Sequence, residues 1–495
     1  MLQGGIYEVV GPCLIPISGS GVFCIMRKFI GTKQFYKSLF TIALPIMVQN
    51  GISNIVNMLD NLMVGRIGTE QLSGVSIVND LMFVYQLCLF GAISGAGIFT
   101  AQYYGQRNNE GVRDTFRIKI VICGIIMLLG MSIFGLLMLL GMSIFGLRDR
   151  TLISYYLHEG SQSGDLAATL GYGHTYMMIM LAGLLPQAAE FVYSSTLRET
   201  GETVVPMRAS FAAVFVNLVL NYILIYGKLG FPVLGVAGAA LATAISRFIQ
   251  AFIVIAWTHR HNDVKPYING AYASFKVAGN LVKKVCVTGL PLVVNESLWS
   301  IGIVLQKQSY STRGLAVVAG LNINSTFFNV FAICFIAFGD AVAIMVGQLL
   351  GAGKMDEAKD TGIKINVFVT FSCIVMGTVL YLVAGYLPEF YNTTAEVKAL
   401  AGDFLRVTGV LMPLFGLCHS LYFTIRAGGK TFITFLFDSA FLMVIGVPLA
   451  FILTRYTALD IVTVYAICEG TALIKVFIGF AISASGIWMQ NIVDE

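Results

Sequence analysis

Amide and carboxylate side chains mark one face of the first long apolar stretch of the sequence, residues 41–68. They recur at spacings of three and four residues, which places them on one side of a helix: Asn50, Asn54, Asn57 and Asp60. A carboxylate at membrane depth costs about 2.5–3.5 kcal/mol on insertion scales, so such residues face a bundle interior or a water-filled cavity. The pattern predicts a membrane helix that lines a functional site, with satisfaction of Asp60 by neighbouring amides as the structural alternative.

Three further carboxylates lie within later apolar stretches, at Glu190, Glu296 and Asp340. A carboxylate withdrawn from water binds a proton more readily, and it can hold a sodium ion together with amide oxygens. We therefore predict that these three residues and Asp60 are cation-coupling residues, with Glu190 in second rank. A sodium ion, if one is used, is expected at Asp60 or Glu296.

These assignments have structural alternatives. Asp340 could form an ion pair with Lys307 or Lys475, and Glu190 could be a solvated acid at the inner end of its helix. The substrate cavity is predicted from the polar face of the first helix and from the turn that follows Glu296. Its candidate residues are Asn50, Asn54, Asn57, Trp299 and Gln306.

The composition is that of a polytopic membrane protein. Hydrophobic residues make up 57% of the 495 residues, charged residues only 12%, and the mean hydropathy is +0.80. The net charge of +5 is not concentrated in a basic block with interleaved aromatics, so nucleic acid is not an expected partner. The nine Cys and five His residues show neither CxxC nor HExxH spacing, and no cofactor is expected beyond a coupling ion, H⁺ or Na⁺.

Apolar segments long enough to cross about 30 Å of hydrocarbon occur twelve times, which predicts an all-α fold of twelve transmembrane helices. Lys and Arg are enriched in alternate loops, so both termini are expected in the cytoplasm, with the chain in the plasma membrane. The predicted spans are 38–65, 72–104, 117–147, 168–197, 204–227, 235–258, 283–310, 315–350, 361–387, 397–426, 431–454 and 459–486.

Residues 1–25 contain no basic residue and are expected not to be native, with Met26 as the natural start. The third span contains the sequence MLLGMSIFGL twice, at 127–136 and at 138–147. Because eleven residues nearly complete three helical turns, the insertion keeps the helix face and adds about 16 Å of length. This span is expected to overrun the bilayer, tilt, or break near Gly135 or Gly141.

The chain also repeats itself over its whole length. At an offset of 246 residues, Pro45 falls on Pro291, Gln102 on Gln348 and Gly105 on Gly351; near 228, Arg198 falls on Arg426. Matched prolines and glycines imply matched backbones, so we predict two six-helix lobes related by a pseudo-two-fold axis along the membrane normal. The expected division is a leader 1–37, an N-lobe 38–258, a linker 259–282, a C-lobe 283–488 and a tail 489–495.

Several stretches resemble the multidrug and toxic compound extrusion (MATE) family: residues 54–72, LRETGETVVPM at 197–207, residues 217–247, NESLWS at 295–300 and residues 311–323. The resemblance covers about 30–495 and implies an antiporter with two six-helix lobes around a central cavity. It implies export of cationic or amphipathic organic compounds against a proton or sodium gradient. The family's coupling Asp on the first helix and Glu on the seventh match Asp60 and Glu296. Some members have a further acid on the tenth helix. The tenth span of this sequence has no acid deep in the membrane, since Asp403 lies near the outer end of that span.

Three alternatives are weaker. A lipid-linked oligosaccharide flippase shares the architecture but favours a cavity rich in Arg and Lys, and few bases fall at membrane depth in this sequence. A membrane-embedded enzyme would need a catalytic constellation such as HExxH or GxSxG, which is lacking. A channel typically has a filter built symmetrically by subunits. The expected partners are therefore small cationic or amphipathic molecules and membrane lipid, with the protein a monomer.

Overall fold

The computed structural model describes residues 29–146 and 166–494, which form helices and connecting loops. The expected leader up to Met26 lies outside these residues. Twelve helices in the described part are long and apolar enough to cross a membrane, as predicted. They are α1 (Lys33–Gly65), α2 (Thr69–Gly105), α3 (Asn109–Gly146), α4 (Leu166–Glu199), α5 (Val204–Tyr226), α6 (Val236–Arg260), α7 (Gly279–Ser311), α8 (Leu315–Gly351), α9 (Met355–Val383), α10 (Ala395–Ala427), α11 (Thr431–Tyr456) and α12 (Ile461–Ser485).

The helix bounds follow the internal repeat. Helices α1 and α7 begin and end 246 residues apart, as do α2 and α8, while α6 and α12 begin and end 225 residues apart. We call α1–α6 the N-terminal half and α7–α12 the C-terminal half. The offset shrinks after α3 because the N-terminal half is longer there, in the region that holds the duplicated decapeptide.

Helix α3 runs unbroken through both copies of the decapeptide as far as Gly146. Its 38 residues span about 57 Å at 1.5 Å per residue, well beyond the hydrocarbon core. The helix is therefore longer than a bilayer requires, as expected, and it does not break at Gly135 or Gly141.

The first helix of the protein contacts both halves. Near its start, Leu39 and Ala43 are buried in one core with Phe338 of α8. Near its end, the Tyr226 hydroxyl of α5 donates a 3.1 Å hydrogen bond to the Met63 carbonyl. Helix α1 therefore crosses from the C-terminal half to its own half along its length.

Helix α7 makes the equivalent crossing in the opposite direction. Val285, near its start, is buried with Phe99 of α2, and Gly289 lies against Gly95. Later in α7, Gly302 faces Leu442 of α11. The division into lobes of residues 38–258 and 283–488 stays a prediction. Helices α1 and α7, which begin the two lobes, each pack against both halves.

The two halves close tightly at one end, where α2 and α8 finish. Gly105 and Gly351 allow each helix to approach the backbone of the other, since an added Cβ at Gly351 would meet Gln102 and one at Gly105 would meet Gln348. Gln348 donates a 2.8 Å hydrogen bond to the carbonyl of Glu199 at the end of α4. These contacts join the C-terminal half to the N-terminal half.

The repeat supplies the same link in reverse. Gln102, the counterpart of Gln348, donates a 3.2 Å hydrogen bond to the Ala427 carbonyl at the end of α10. The segment after α12 adds to this seam, since the Ile492 amide donates to Gln102 Oε1 at 2.9 Å and Asn491 Nδ2 donates to the Gly351 carbonyl at 3.4 Å. The seam is thus tied by two symmetric glutamines and by the chain end.

Candidate functional site

A cavity of about 1510 Å³ lies between the two halves and is lined by every described helix except α3 and α9. Eight acidic and five basic side chains line its wall. All four predicted coupling residues are among them: Asp60, Glu190, Glu296 and Asp340. The sequence therefore located four of the eight acids of one shared cavity, although these four side chains come from four different helices.

Asp60 belongs to a polar network in the N-terminal half. Asn221 Nδ2 of α5 donates a 2.6 Å hydrogen bond to Asp60 Oδ1 and is also 3.1 Å from Asn217 Oδ1. Asn217 in turn donates to the Thr243 hydroxyl of α6 at 3.3 Å. The two asparagines lie four residues apart in an apolar helix, so their side chains share the face that meets α1.

This network has one unused acceptor. Asn221 is fully buried, and its Oδ1 receives no hydrogen bond in the described structure. No ion pair is formed by Asp60 among residues 29–146 and 166–494. A carboxylate beside an unsatisfied amide oxygen, without a neighbouring ammonium or guanidinium, is a donor set suited to a proton or a small hard cation.

Glu296 is surrounded by a different set of groups. The Tyr422 hydroxyl lies 3.5 Å from Glu296 Oε1, at the limit of a hydrogen bond, and it receives one from Asn295 Nδ2 at 3.3 Å. Asn295 also donates to Asp438 Oδ2 at 3.2 Å. The other oxygen of Asp438 pairs with Lys475 Nζ at 2.7 Å. Asp438, which shares the donor Asn295 with the Tyr422 hydroxyl beside Glu296, thus has a built-in cation as its partner.

Asp438 lies in a widened part of α11. The turns Leu436–Ala440 and Leu442–Gly446 are π-helical, and the Ser439 amide donates to Asn295 Oδ1 at 3.2 Å. Such turns are rare and concentrate at functional sites. The π-helical turns bring the Asp438 carboxylate and the Ser439 amide into contact with the same side chain of α7, that of Asn295.

The structural alternatives for Asp340 and Glu190 do not hold. Lys475 pairs with Asp438, and in the described part of the chain Asp340 forms no ion pair with Lys307 or any other base. Glu190 is buried rather than solvated, and it accepts a 2.5 Å hydrogen bond from Ser194.

Three of the five predicted cavity residues line the cavity: Asn50, Trp299 and Gln306. Asn54 is exposed and is not part of the wall. The side chain of Asn57 lies outside the described part of the structure.

Sequence reasoning missed several side chains of both networks. Asn217 and Asn221 could have been found, because they are two amides one helical turn apart in an apolar segment. Asp438 and Lys475 could not, because they are 37 residues apart and no local sequence pattern connects them. The expectation of few bases at membrane depth was also wrong for the cavity wall. Its bases are Arg198, Arg247, Lys307, Arg426 and Lys475.

Comparison with known families gives one match that covers most of the chain. The profile of the MatE family matches residues 45–223 and 291–452. The two matched segments begin at Pro45 and Pro291, the pair that the internal repeat aligns.

Curated relatives are similar over nearly the same length. The probable multidrug resistance protein NorM of Thermotoga maritima is 23% identical over 440 residues, which cover 86% of this chain and 88% of the relative. The probable multidrug resistance protein YoeA of Bacillus subtilis is 24% identical over 440 residues, which cover 87% and 89%.

Solved structures share the fold. A multidrug resistance MATE family transporter of the MOP superfamily in an outward-facing conformation superposes with a TM-score of 0.78 at 18% identity, covering 93% of this chain and 98% of that chain. A MOP superfamily transporter from Pyrococcus furiosus gives a TM-score of 0.76 at 18% identity, with the same coverage.

Proposed function

Because the chain belongs to the MatE family of membrane transporters, we propose that it is a cation-coupled antiporter that exports cationic or amphipathic organic compounds. Uptake of H⁺ or Na⁺ down its gradient drives export by alternating access. The protein works in the plasma membrane with both termini in the cytoplasm. The relatives named above are multidrug resistance proteins, which supports organic cargo.

The observation that carries cation coupling is the Asp60 network. A carboxylate, two amides and a hydroxyl converge from three helices, and the Asn221 oxygen beside the carboxylate has no donor. Binding of a proton or a sodium ion neutralises Asp60 and changes its hydrogen bonds to α5. Cation occupancy is therefore tied to the packing of α1 against its own half.

Antiport follows if cargo and coupling ion depend on the same charges. Acids outnumber bases on the cavity wall by eight to five, which favours a cationic cargo over an anionic one. Each coupling ion bound removes one negative charge from that wall and weakens cargo binding. By linkage, cargo weakens ion binding by the same factor, and the two leave on opposite sides.

The closed seam at the ends of α2 and α8 supports alternating access. In the orientation given by the positive-inside rule, the seam faces the cytoplasm, so the cavity is closed on its cytoplasmic side. The reverse state then requires α2 and α8 to separate and both glutamine links to break. Helices α1 and α7, which contact both halves, are the elements that must bend or slide.

The test is dye efflux activity, measured as accumulation of a fluorescent cationic dye inside everted vesicles and driven separately by a pH gradient and by a sodium gradient. We expect Asp60→Asn to abolish gradient-driven transport and Glu296→Gln to reduce it strongly. Asp403→Asn is the matched control, because Asp403 is an exposed acid on α10 that pairs with Arg406, and it is expected to leave transport unchanged. Normal transport in both Asp60→Asn and Glu296→Gln would rule out the coupling scheme.

A further inference from the structure

The two halves carry equivalent polar triads, one neutral and one charged. In the N-terminal half, Ser210 of α5 accepts hydrogen bonds from Gln49 of α1 at 2.7 Å and from Gln250 of α6 at 3.0 Å. Both donors are amides and the acceptor is a hydroxyl. None of the three side chains of this neutral triad carries a formal charge, although Gln49 Oε1 also accepts a 2.8 Å hydrogen bond from Arg198.

In the C-terminal half, the corresponding helices are joined by Asn295 of α7, Asp438 of α11 and Lys475 of α12. Asp438 accepts from Asn295 at 3.2 Å through one oxygen and from Lys475 at 2.7 Å through the other. The central acceptor is now a carboxylate and one of the donors is an ammonium.

The positions match under the internal repeat. Gln49 and Asn295 are 246 residues apart, which is the α1 to α7 offset, and Gln250 and Lys475 are 225 apart, which is the α6 to α12 offset. Ser210 and Asp438 are 228 apart, the same offset as Arg198 and Arg426. Since the neutral triad already holds its helices together, the charges of the second triad are not required for that purpose.

We propose that Lys475 is a tethered cation that occupies the place of a sodium ion beside Asp438 and Glu296, so that the C-terminal half does not bind Na⁺. The inference rests on the cation coupling proposed above and specifies the ion selectivity of one half. A sodium ion needs carboxylate and carbonyl oxygens with uncompensated negative charge. Here the Lys475 ammonium already pairs with Asp438 Oδ1, and Asn295 donates to Oδ2.

The cavity wall around Lys475 carries three acids and, with Lys475 itself, two bases. Two acids, Glu296 and Asp438, face two bases, Lys475 and Arg426, and the Arg426 guanidinium donates to the Tyr422 hydroxyl beside Glu296 at 3.4 Å. A third acid, Glu469 of α12, also lines the cavity but makes no ion pair with Lys475.

The Lys475 ammonium is held further by the Phe437 ring, whose centre is 5.3 Å away. Both members of the pair are only about one-fifth exposed, at 18% for Lys475 and 21% for Asp438. Removal of the ammonium would leave the mostly buried Asp438 carboxylate with the Asn295 hydrogen bond but without a charged partner, which favours binding of another cation.

The test measures sodium binding directly on the purified full-length protein carrying Asp60→Asn, so that the N-terminal half contributes no site. Binding of ²²Na⁺ and the sodium-dependent shift of the thermal unfolding temperature are compared with potassium as the reference ion. We expect no sodium response in Asp60→Asn alone. We expect Lys475→Met in that background to gain sodium binding and a sodium-dependent rise in the unfolding temperature, neither of which Asp60→Asn alone shows.

Two variants separate charge from packing. Asp438→Ser combined with Lys475→Gln copies the neutral triad of the other half and is expected to fold without gaining sodium binding. Lys475→Arg keeps the positive charge and is also expected to remain insensitive to sodium. If Lys475→Met does not fold in sodium-free buffer, Lys475→Gln, which keeps a hydrogen-bond donor to Asp438, takes its place.

The proposal is overturned if neither Lys475→Met nor Lys475→Gln gains sodium binding. It is also overturned if Asp60→Asn alone already binds sodium in a manner that Glu296→Gln removes. Because these measurements use binding and not transport, they stand or fall separately from the dye efflux experiment that tests the proposed antiport.

Discussion

Lys119 of α3 is fully buried, which is a costly place for an ammonium. It pairs with Glu199 at the end of α4 and donates to the hydroxyls of Ser195 at 3.2 Å and Thr196 at 3.1 Å. Glu199 is also the residue whose carbonyl accepts the hydrogen bond from Gln348 across the seam. The ion pair therefore stabilises the position at which the two halves meet.

We predict that Lys119→Met destabilises the protein by about 3–5 kcal/mol, because it leaves a partly buried carboxylate unpaired. The double substitution Lys119→Met and Glu199→Gln removes both charges and is expected to recover most of that loss. Lys354→Met is the control, since Lys354 pairs with Glu357 on the surface and such pairs contribute at most about 1 kcal/mol. Unfolding in detergent measures all three, and equal losses for Lys119→Met and Lys354→Met would contradict the prediction.

At the scale of helices, the sequence was sufficient for span number and for the register of the repeat, and in part for the polar face of α1, where Asn50 and Asp60 line the cavity and Asn54 does not. These follow from local hydrophobicity and from matched Pro, Gly and Gln residues. It was insufficient for the crossing of α1 between the halves, because Leu39 and Phe338 meet through packing over 299 residues of chain. It was equally insufficient for the π-helical turns around Asp438, whose sequence is apolar and otherwise ordinary.

The crossing of α2 and α8 gives a prediction at this scale. Gly351→Ala adds a methyl group where the Gln102 backbone lies, so we expect the two helix ends to separate. Amide hydrogen exchange of residues 102–109 is expected to accelerate. Gly124→Ala is the matched control, because nothing lies within 4 Å of an added Cβ at Gly124 in α3. Unchanged exchange in Gly351→Ala would show that this close approach does not hold the seam.

At the scale of the whole molecule, the seam has an asymmetry that the repeat does not impose. Among the described residues the Gln348 side chain bonds only to the end of α4, whereas the Gln102 side chain bonds to the end of α10 and also to the segment after α12. Ile492 and Val493 of that segment pack against α2, α3 and α7. The C-terminal segment thus ties its own half to the other one at the closed seam.

We predict that ending the chain after Gln490 favours opening of the seam, because it removes the Ile492 and Asn491 links but keeps the buried Trp488. Each lost hydrogen bond is expected to contribute about 1 kcal/mol. Spin-label distances across the seam report the open population, and Gln348→Ala provides the comparison for one symmetric link. An unchanged distance distribution in the shortened chain would show that the segment contacts the seam without stabilising its closed state.

The crossing of α1 also has a consequence for biosynthesis. Helix α1 is synthesised before α8, so the partners of Leu39 and Ala43 in α8 are made only after the N-terminal half and the linker. Until then the α8 side of this core is missing, although Thr203 of the N-terminal half can already donate its hydrogen bond to the Thr41 carbonyl. The N-terminal half therefore completes its packing only after translation of α8, and its first helix is among the last to reach its final position.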